Sequence, residues 1–186
     1  MPQDLSKVEL IIAGVGGQGV LFAGQMMAVA GMRKYKYVTY MPSYGTEKRG
    51  GPSECTVVLS DEPIASPVLD QAQTVMLLDS SQAQAFEGRV RPQGTMIVEK
   101  TGLEYDSAQS PFTLTPISGL EIAMSMGDSM VNNLIMLGAY IEITGALPAD
   151  LVLEEIERKS GDRDALLQRN REAFSRGLDL GKSIAV

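Results

Sequence analysis

Two glycine-rich segments of the chain combine an open backbone with polar side chains that could bind an anion. The first is residues 13–20, with the sequence AGVGGQGV, and the second is residues 42–53, with the sequence PSYGTEKRGGPS. Glycine has no Cβ, so backbone amides in such segments can approach an anion or another backbone closely. The polar side chains of the second segment that could contribute chemistry are those of Tyr44, Glu47, Lys48 and Arg49. These residue types favour binding through hydrogen bonds and charge.

Three glycines of the first segment, Gly14, Gly16 and Gly19, have the spacing G-x-G-x-x-G. The mostly apolar residues 8–13 precede them as a predicted buried strand, and residues 21–30 follow as a predicted helix. A dinucleotide-binding turn requires this order, because the helix N-terminus offers free amides and a partial positive charge to a phosphate. The candidate cofactor contacts of this turn are Gly14, Gly16, Gly17, Gln18 and Gly19.

The rest of the dinucleotide-binding pattern is incomplete. The second strand, predicted over residues 37–41, runs into Pro42 without an acidic residue before Glu47. An acidic residue at the end of that strand would bind the adenosine ribose. A Walker-type phosphate loop is excluded, because no Gly-Lys-Ser or Gly-Lys-Thr follows the glycines. The glycines therefore have two open interpretations, which are contact with a phosphate and close packing of strand and helix without a ligand.

The second glycine-rich segment also follows an apolar strand. We therefore expect both segments to leave the carboxyl-end edge of a parallel sheet and to form one surface there. Prolines and paired glycines at its edges make this segment costly to order as a simple connection, so we favour an interaction role. Asn133, within an apolar helix, needs hydrogen-bond partners and either joins a local polar network or points toward the site. The candidate interface or shared-site residues are Tyr44, Gly45, Glu47, Lys48, Arg49, Gly50 and Asn133.

The elements that must position these residues alternate along the chain. Further strands are predicted over residues 55–60, 74–79 and 94–99, with a short helix capped by Ser80 or Ser81 and a less regular segment at 112–117. Helices are predicted over residues 130–144, with Gly145 as C-cap, from Pro148 onward, and over residues 164–180. This order predicts a three-layer α/β/α fold with a mostly parallel, doubly wound sheet, helices on both faces and a helix-rich C-terminal part. We expect a single domain over residues 1–186.

The composition excludes several kinds of active centre within this chain. The sequence has 186 residues, a formal net charge of −7, no histidine and one cysteine, Cys55. Iron–sulfur clusters and structural zinc sites would lack ligands, and histidine-dependent catalysis is excluded, so no metal and no catalytic residue is expected here. The acidic balance disfavours nucleic acid as a partner, and Cys55 is interpreted as a small apolar strand residue. We expect a cytoplasmic location, since no membrane span or secretory signal is recognised.

Three motifs together resemble the gamma subunit of the 2-oxoacid:ferredoxin oxidoreductases, which act on pyruvate, 2-oxoglutarate, branched-chain oxoacids or indolepyruvate. They are GVGGQGV from Gly14, PSYGTEKRGGPSECTVVLSDEPIASP from Pro42, and NLIMLGA from Asn133. The segment NREAFSRG from Asn170 is similar to the end of the family's sequences, so the likeness covers nearly the whole chain. The run from Tyr44 to RGGP is more distinctive than the glycine spacing.

The resemblance implies that the cofactors and the catalytic steps are distributed among several subunits. In this family a 2-oxoacid is oxidatively decarboxylated to an acyl-coenzyme A, and electrons pass to ferredoxin. Alpha and beta subunits hold thiamine diphosphate with Mg²⁺, and iron–sulfur clusters belong to the beta or a small delta subunit. The present chain would then be a required component that holds no cofactor itself, packs against these subunits and is inactive alone. A subunit built for such packing is expected to self-associate when isolated.

Two questions stay open from the sequence. Lys48 and Arg49 could attract the phosphates of coenzyme A or the substrate carboxylate, or they could pair with carboxylates of a neighbouring subunit. The chain could instead be a self-contained, Rossmann-like nucleotide-binding module with an unusual ribose contact. The sequence does not identify the oxoacid, since the reacting centre of the family lies mainly in other subunits.

Overall fold

The computed structural model of the protein describes residues 5–44 and 51–184. Within these residues six strands form one sheet: β1 Lys7–Val15, β2 Tyr37–Tyr44, β3 Pro52–Ser60, β4 Ala72–Leu77, β5 Val90–Glu99 and β6 Thr113–Ile117. The α-helices of the same residues are α1 Val20–Gly31, α2 Ala83–Phe86, α3 Gly119–Ser125, α4 Asn132–Thr144, α5 Ala149–Ser160 and α6 Asp164–Ile184. Single turns of 3-10 helix lie at Ser80–Gln82, Glu87–Arg89 and Ser129–Val131.

The strand order in the sheet is β2-β3-β1-β4-β5-β6. β1, β4, β5 and β6 pair in parallel, and β3 pairs antiparallel with both β1 and β2. Within the described residues all strands except β3 therefore share one direction, which confirms the mostly parallel α/β sheet. β3 is reversed because only residues 45–51 join it to β2, whereas a parallel crossover needs about a dozen residues or more.

The two faces of the sheet carry different layers. Alternate strand residues such as Leu10 and Ile12 pack with α1, α4, α5 and α6 in the larger core. The intervening residues, such as Ile11 and Val75, pack under α2 and under connecting segments that contribute Leu103. α1 and α2 lie on opposite faces because right-handed crossovers lead in opposite directions from the centre of the sheet. Helices thus occur on both faces, but all the long helices of the described residues lie on one of them.

The strands around the second glycine-rich segment extend further than the sequence predicts. β2 continues past Met41 to Tyr44, and β3 begins at Pro52 rather than at Cys55. Ladder pairing up to Tyr44 with Ser53 overrides the local turn signals, and proline is tolerated on an edge strand such as β2. The predicted loop 42–53 is therefore a hairpin whose connection is residues 45–51.

The helices follow the predicted positions with three differences. Asp79, rather than Ser80 or Ser81, caps the turn after β4, because its carboxylate accepts a hydrogen bond from the Ser81 amide. α3 has no counterpart among the predicted helices, and α6 continues to Ile184. Gly145 ends α4 with φ 63°, as its predicted C-cap role requires. Among the described residues, no helix has the length and apolar character that crossing a membrane would require.

Candidate functional site

The carboxyl ends of β1 and β4 form a crevice where the strand order changes direction. After β1 the chain continues to β2 on one side of β1, whereas β4 lies on the other side of β1. Open α/β sheets bind ligands at such a point, because the loops that leave the two strands diverge there. β1 delivers the glycine turn to this crevice, Asp79 follows β4, and α4 brings Asn133 to the turn. Three elements that are far apart in the sequence therefore build one site.

Two glycines of the turn have backbone conformations that residues with a Cβ rarely adopt. Gly17 has φ 103° and Gly19 has φ 79°. Gly19 is also the N-cap of α1, and no side chain of residues 5–44 or 51–184 caps this helix. The Gly16 amide donates a hydrogen bond within the protein, whereas the Gly17 and Gly19 amides have no acceptor among the described residues. The start of α1 thus presents a partial positive charge that suits a phosphate or a carboxylate.

The side chain of Gln18 braces the turn against both strand ends. Its Oε1 accepts a hydrogen bond from the Val15 amide at 2.8 Å, and its Nε2 donates to Asp79 Oδ2 at 3.1 Å. Room for this side chain depends on Gly14, since a Cβ there would lie 2.6 Å from Gln18 Oε1. The structure therefore gives Gln18 a positioning role in which both polar groups are used within the protein.

Asp79 is held by hydrogen bonds to both of its carboxylate oxygens. Oδ1 accepts from the Ser81 hydroxyl at 2.6 Å and from the Ser81 amide at 3.1 Å, and Oδ2 accepts from Gln18. Partial burial raises the pKa of this carboxyl, but the hydrogen bonds from Ser81 and Gln18 together outweigh it and hold the pKa below the ordinary aspartate value. Asp79 is therefore charged at neutral pH and repels anions, so an anion would lie on the α1 side of the crevice.

Asn133 connects the glycine turn to the helical layer. Its side chain is buried, with Nδ2 donating to the Gly19 carbonyl at 3.3 Å and Oδ1 accepting from the Leu134 amide at 2.8 Å. The approach is so close that a Cβ at Gly19 would overlap the Asn133 side chain. Asn133 thus lies at the predicted site, where it fixes the carbonyl that precedes α1.

The two glycine-rich segments are adjacent. Ser53 of β3 pairs with Gly14 on one side and with Tyr44 on the other, which places the ends of β1 and β2 roughly 10 Å apart. The Gly16 amide donates to the Gly51 carbonyl at 2.9 Å. Both segments therefore leave the same edge of the sheet, as expected. The predicted site residues outside the described residues are Gly45, Glu47, Lys48, Arg49 and Gly50.

Two carboxylates at this edge are absent from the predicted site. One is Asp79, and the other is Glu99, which ends β5 and is 2% exposed. Glu99 Oε1 accepts from the Thr101 amide and hydroxyl, and Oε2 accepts from the Leu120 amide, so this carboxylate holds the first turn of α3. Both acids directly follow apolar runs at strand ends, and that position is the signal that could have found them.

Cys55 is buried between β3 and α1. Its Sγ lies 3.7 Å from the Val20 carbonyl, and a Cβ at Gly24 would overlap the sulfur. Burial, with a further contribution from the charge of Glu54, raises the pKa of the thiol to about 12. Its interpretation as a packing residue is confirmed. Within the described residues, no group of three or more acidic, cysteine or histidine side chains could hold a metal ion.

The fold and this edge define an α/β protein with a glycine turn at the switch point of its sheet and a helix that begins at the last glycine of this turn. The side chains of Gln18 and Asn133 fix the shape of the turn. The amides of Gly17 and Gly19, which have no acceptor among the described residues, could bind an anion. Residues 9–180 match the family described as "Pyruvate ferredoxin/flavodoxin oxidoreductase". The chain belongs to this family, which confirms the resemblance carried by its motifs.

Two relatives differ in how much of their own length this chain covers. It is 29% identical to the ketoisovalerate oxidoreductase subunit VorA of Methanothermobacter marburgensis over 178 residues, which cover 95% of this chain. The chain spans only 37% of the length of that protein. It is 26% identical to the 2-oxoglutarate synthase subunit KorC of Methanocaldococcus jannaschii over 189 residues, which cover 96% of each protein.

Two solved structures share the fold. The gamma subunit of a keto/oxoacid ferredoxin oxidoreductase from Geobacter sulfurreducens PCA superposes with a TM-score of 0.82 at 24% identity, over 96% of this chain and 98% of that one. The 2-oxoglutarate:ferredoxin oxidoreductase from Magnetococcus marinus, with 2-oxoglutarate, coenzyme A and succinyl-CoA bound, gives a TM-score of 0.87 at 21% identity. The second match covers 97% of this chain and 32% of that chain. At these identities the likeness establishes the fold.

Proposed function

We propose that the chain is the gamma subunit of a multi-subunit 2-oxoacid:ferredoxin oxidoreductase, which converts a 2-oxoacid to an acyl-coenzyme A and passes electrons to ferredoxin. The observation that carries this proposal is the family match over residues 9–180, together with end-to-end similarity to KorC, itself a subunit. VorA contains the matched region as 37% of its length. This supports a module that works beside other modules of one enzyme.

The cofactors of such an enzyme would be held by its other subunits. Thiamine diphosphate and Mg²⁺ would lie with the alpha and beta subunits, and the iron–sulfur clusters with the beta or delta subunit. This chain has no histidine, and its one cysteine is buried with a raised thiol pKa. Cluster ligation takes several thiolates, so the residues of this chain suit binding and positioning. We assign it a cytoplasmic location and a single gamma-type domain over residues 1–186.

We assign the shared site of the complex to the edge formed by the glycine turn and the β2–β3 hairpin. The amides at the start of α1 suit a phosphate of coenzyme A or the carboxylate of an oxoacid. Lys48 and Arg49 follow β2 in the sequence and would add positive charge. The Gln18 brace and the Asn133 contact fix the turn before a ligand arrives, which lowers the ordering cost of binding.

Reconstitution tests the subunit role. The pure chain, supplied with 2-oxoacid, coenzyme A and ferredoxin or a viologen dye, is expected to give no reduction, because it lacks cluster ligands and histidine. The partner subunits alone are expected to be inactive, and mixing them with this chain should restore turnover. Turnover by the chain alone would contradict the subunit role, and full activity of the partners without it would contradict its being required.

Arg49→Ala tests the charge of the β2–β3 connection. Loss of one charge-assisted hydrogen bond, about 1.5–3 kcal/mol, should weaken subunit assembly or raise KM for coenzyme A or oxoacid roughly tenfold to a hundredfold. Arg176→Ala is the control, because Arg176 is exposed and pairs with Glu172 on its own helix. Sedimentation and steady-state kinetics measure the two effects. Wild-type values for both would show that Arg49 has no such role.

A second candidate function is a self-contained nucleotide-binding module. The glycine turn and the glycine N-cap of α1 favour it, but β2 ends at Tyr44 without the acidic residue that binds ribose in such folds. Calorimetric titration of the chain with NAD, FAD, coenzyme A and thiamine diphosphate distinguishes the two functions. Saturable binding of NAD or FAD would favour the nucleotide-binding module, and its absence would favour the subunit.

A further inference from the structure

A second concave site, which we call the basic cleft, lies on the helical side of the sheet. It has a volume of about 260 Å³ and lies between α1, the start of α4 and the junction of α5 with α6. Phe22, Leu134 and Leu166 form its apolar wall. Asn133 lines it as well, and so the basic cleft and the glycine turn share one residue.

Three cations and one carboxylate line the basic cleft. The cations are Lys159, Arg163 and Arg169, and the carboxylate is that of Asp128, in a chain whose formal net charge is −7. Arg169 pairs with Asp128 at 2.9 Å, and Arg163 Nε donates to the Ser160 carbonyl at 3.1 Å. A concave site with an excess of one sign of charge focuses the field and attracts the opposite charge. The lining therefore favours an anion.

The polar groups inside the basic cleft are fixed by the protein itself. Asn170 Nδ2 donates to Ser160 Oγ at 3.1 Å, and the Ser160 hydroxyl donates to the Ile156 carbonyl at 2.8 Å. Asn170 and Ser160 are both buried, so the packing of α5 against α6 sets their positions. A few fixed polar groups beside an apolar wall are the usual means of orienting a small ligand.

We propose that the basic cleft binds a small organic anion with one or two phosphate or carboxylate groups. The anionic group lies against Lys159 and Arg163, which recognise such groups through charge-assisted hydrogen bonds. The carbon part lies against Phe22 and Leu166. The volume is below the usual range for larger ligands, so a dinucleotide does not fit. The proposal does not rest on the subunit role, since helices rather than the glycine turn supply the charges.

Nuclear magnetic resonance of the full chain tests this site. Titration with inorganic phosphate, pyrophosphate and glutarate at physiological salt should shift the side-chain amide signals of Asn133 and Asn170 saturably with at least one probe, and the comparison separates phosphate from carboxylate ligands. Replacing Lys159 and Arg163 together by Gln should weaken binding at least about tenfold. If the double variant is unstable, Lys159→Gln alone replaces it in the test. This single variant keeps the Arg163 contact with the Ser160 carbonyl and should still weaken binding severalfold.

The matched control replaces Arg176 and Lys182 by Gln, which changes the net charge equally at exposed positions of α6. Weaker binding in the cleft variants with unchanged binding in the control supports the proposal. Absence of saturable shifts with all three probes, or equal weakening in both double variants, overturns it. A separate titration with coenzyme A completes the test. Shifts that coenzyme A produces and the three probes do not would also overturn the proposal, because they would assign the basic cleft to the shared site of the complex.

Discussion

Gln18 and Asp79 act together at the crevice although 61 positions separate them in the sequence. Gln18 uses its amide oxygen for the Val15 amide on β1 and its amide nitrogen for the carboxylate beyond β4. Glutamate at this position would place two carboxylates together, and leucine would leave the Val15 amide without its acceptor. The glutamine side chain therefore sets the distance between the glycine turn and the neighbouring strand end.

Asp79→Asn should reduce stability only where the wild-type carboxylate is ionised. The pKa of Asp79 is lowered in the folded chain, so the unfolded chain binds more protons as the pH falls through about 4. Above about pH 5 the wild type should exceed the variant by about 0.5–1 kcal/mol in free energy of unfolding, after allowance for solvent screening. Below the folded pKa this advantage should vanish. Urea unfolding across this pH range measures the difference in free energy of unfolding, and Asp61→Asn, at an exposed aspartate, is the control. A difference between Asp79→Asn and the wild type that does not change with pH would contradict this expectation.

The site residues differ in how far the sequence alone can identify them. The glycines and Asn133 can be found because each is unusual in its local context, as closely spaced glycines after a strand and as an amide in an apolar helix. The contact of Gln18 with Asp79 cannot, because it depends on β4 lying beside β1. Lys159 belongs to a charged run typical of a solvated helix face, and only the packing of α5 and α6 places it in the basic cleft.

At the scale of elements, α4 and α6 cross at a pair of glycines. A Cβ at Gly138 would overlap the Phe174 carbonyl, and a Cβ at Gly177 would overlap the Ile135 carbonyl. The two backbones therefore touch without a side chain between them. Because α4 also carries Asn133, this crossing determines how the asparagine meets the glycine turn.

Gly177→Ala should force α6 away from α4. The added methyl group meets main-chain atoms that cannot rotate aside, so the free energy of unfolding should fall by about 1–3 kcal/mol. Gly88→Ala is the matched control, since a Cβ there meets nothing within 4 Å and the change should be neutral or slightly stabilising. Urea unfolding compares the two variants. Equal midpoints would show that the helices do not depend on this close approach.

Local sequence identifies most elements of this fold but not their arrangement. Apolar runs predict β1, β4 and β5, and Gly145 marks the end of α4, because burial and capping leave a periodic or positional signal. The insertion of β3 between β1 and β2 depends on long-range pairing. α3 takes support for its first turn from Glu99, which lies on another element, so its own sequence carries a weak signal.

At the scale of the whole molecule, β2 is an edge of the sheet with large apolar side chains nearby. Tyr37 and Met41 are 42% and 39% exposed, and Met32, just after α1, is 68% exposed. Within the part of the chain that the structure describes, no strand pairs with the outer side of β2. Unpaired backbone groups and apolar surface together favour association with another protein.

The isolated chain is expected to form dimers or larger assemblies through this edge. Met32→Lys places a charge in the contact and should weaken self-association by about tenfold or more. Val68→Lys is the control, because Val68 is 61% exposed but lies on the connection between β3 and β4. Sedimentation velocity over a wide concentration range measures the effect. A wild-type chain that stays monomeric at the highest concentration would contradict this expectation.

The burial of Cys55 makes the chain a ready background for site-specific labelling. Cys55 is the one cysteine of the sequence, is fully buried and has a thiol pKa of about 12. Thiol reagents react with the thiolate, so the folded chain offers them no accessible target. A single cysteine introduced at exposed Val68 or Met124 would carry a spin label or fluorophore before the partner subunits are added. Distances between such a label and a label on a partner subunit would then report how this subunit docks, and Cys55 would not need to be replaced.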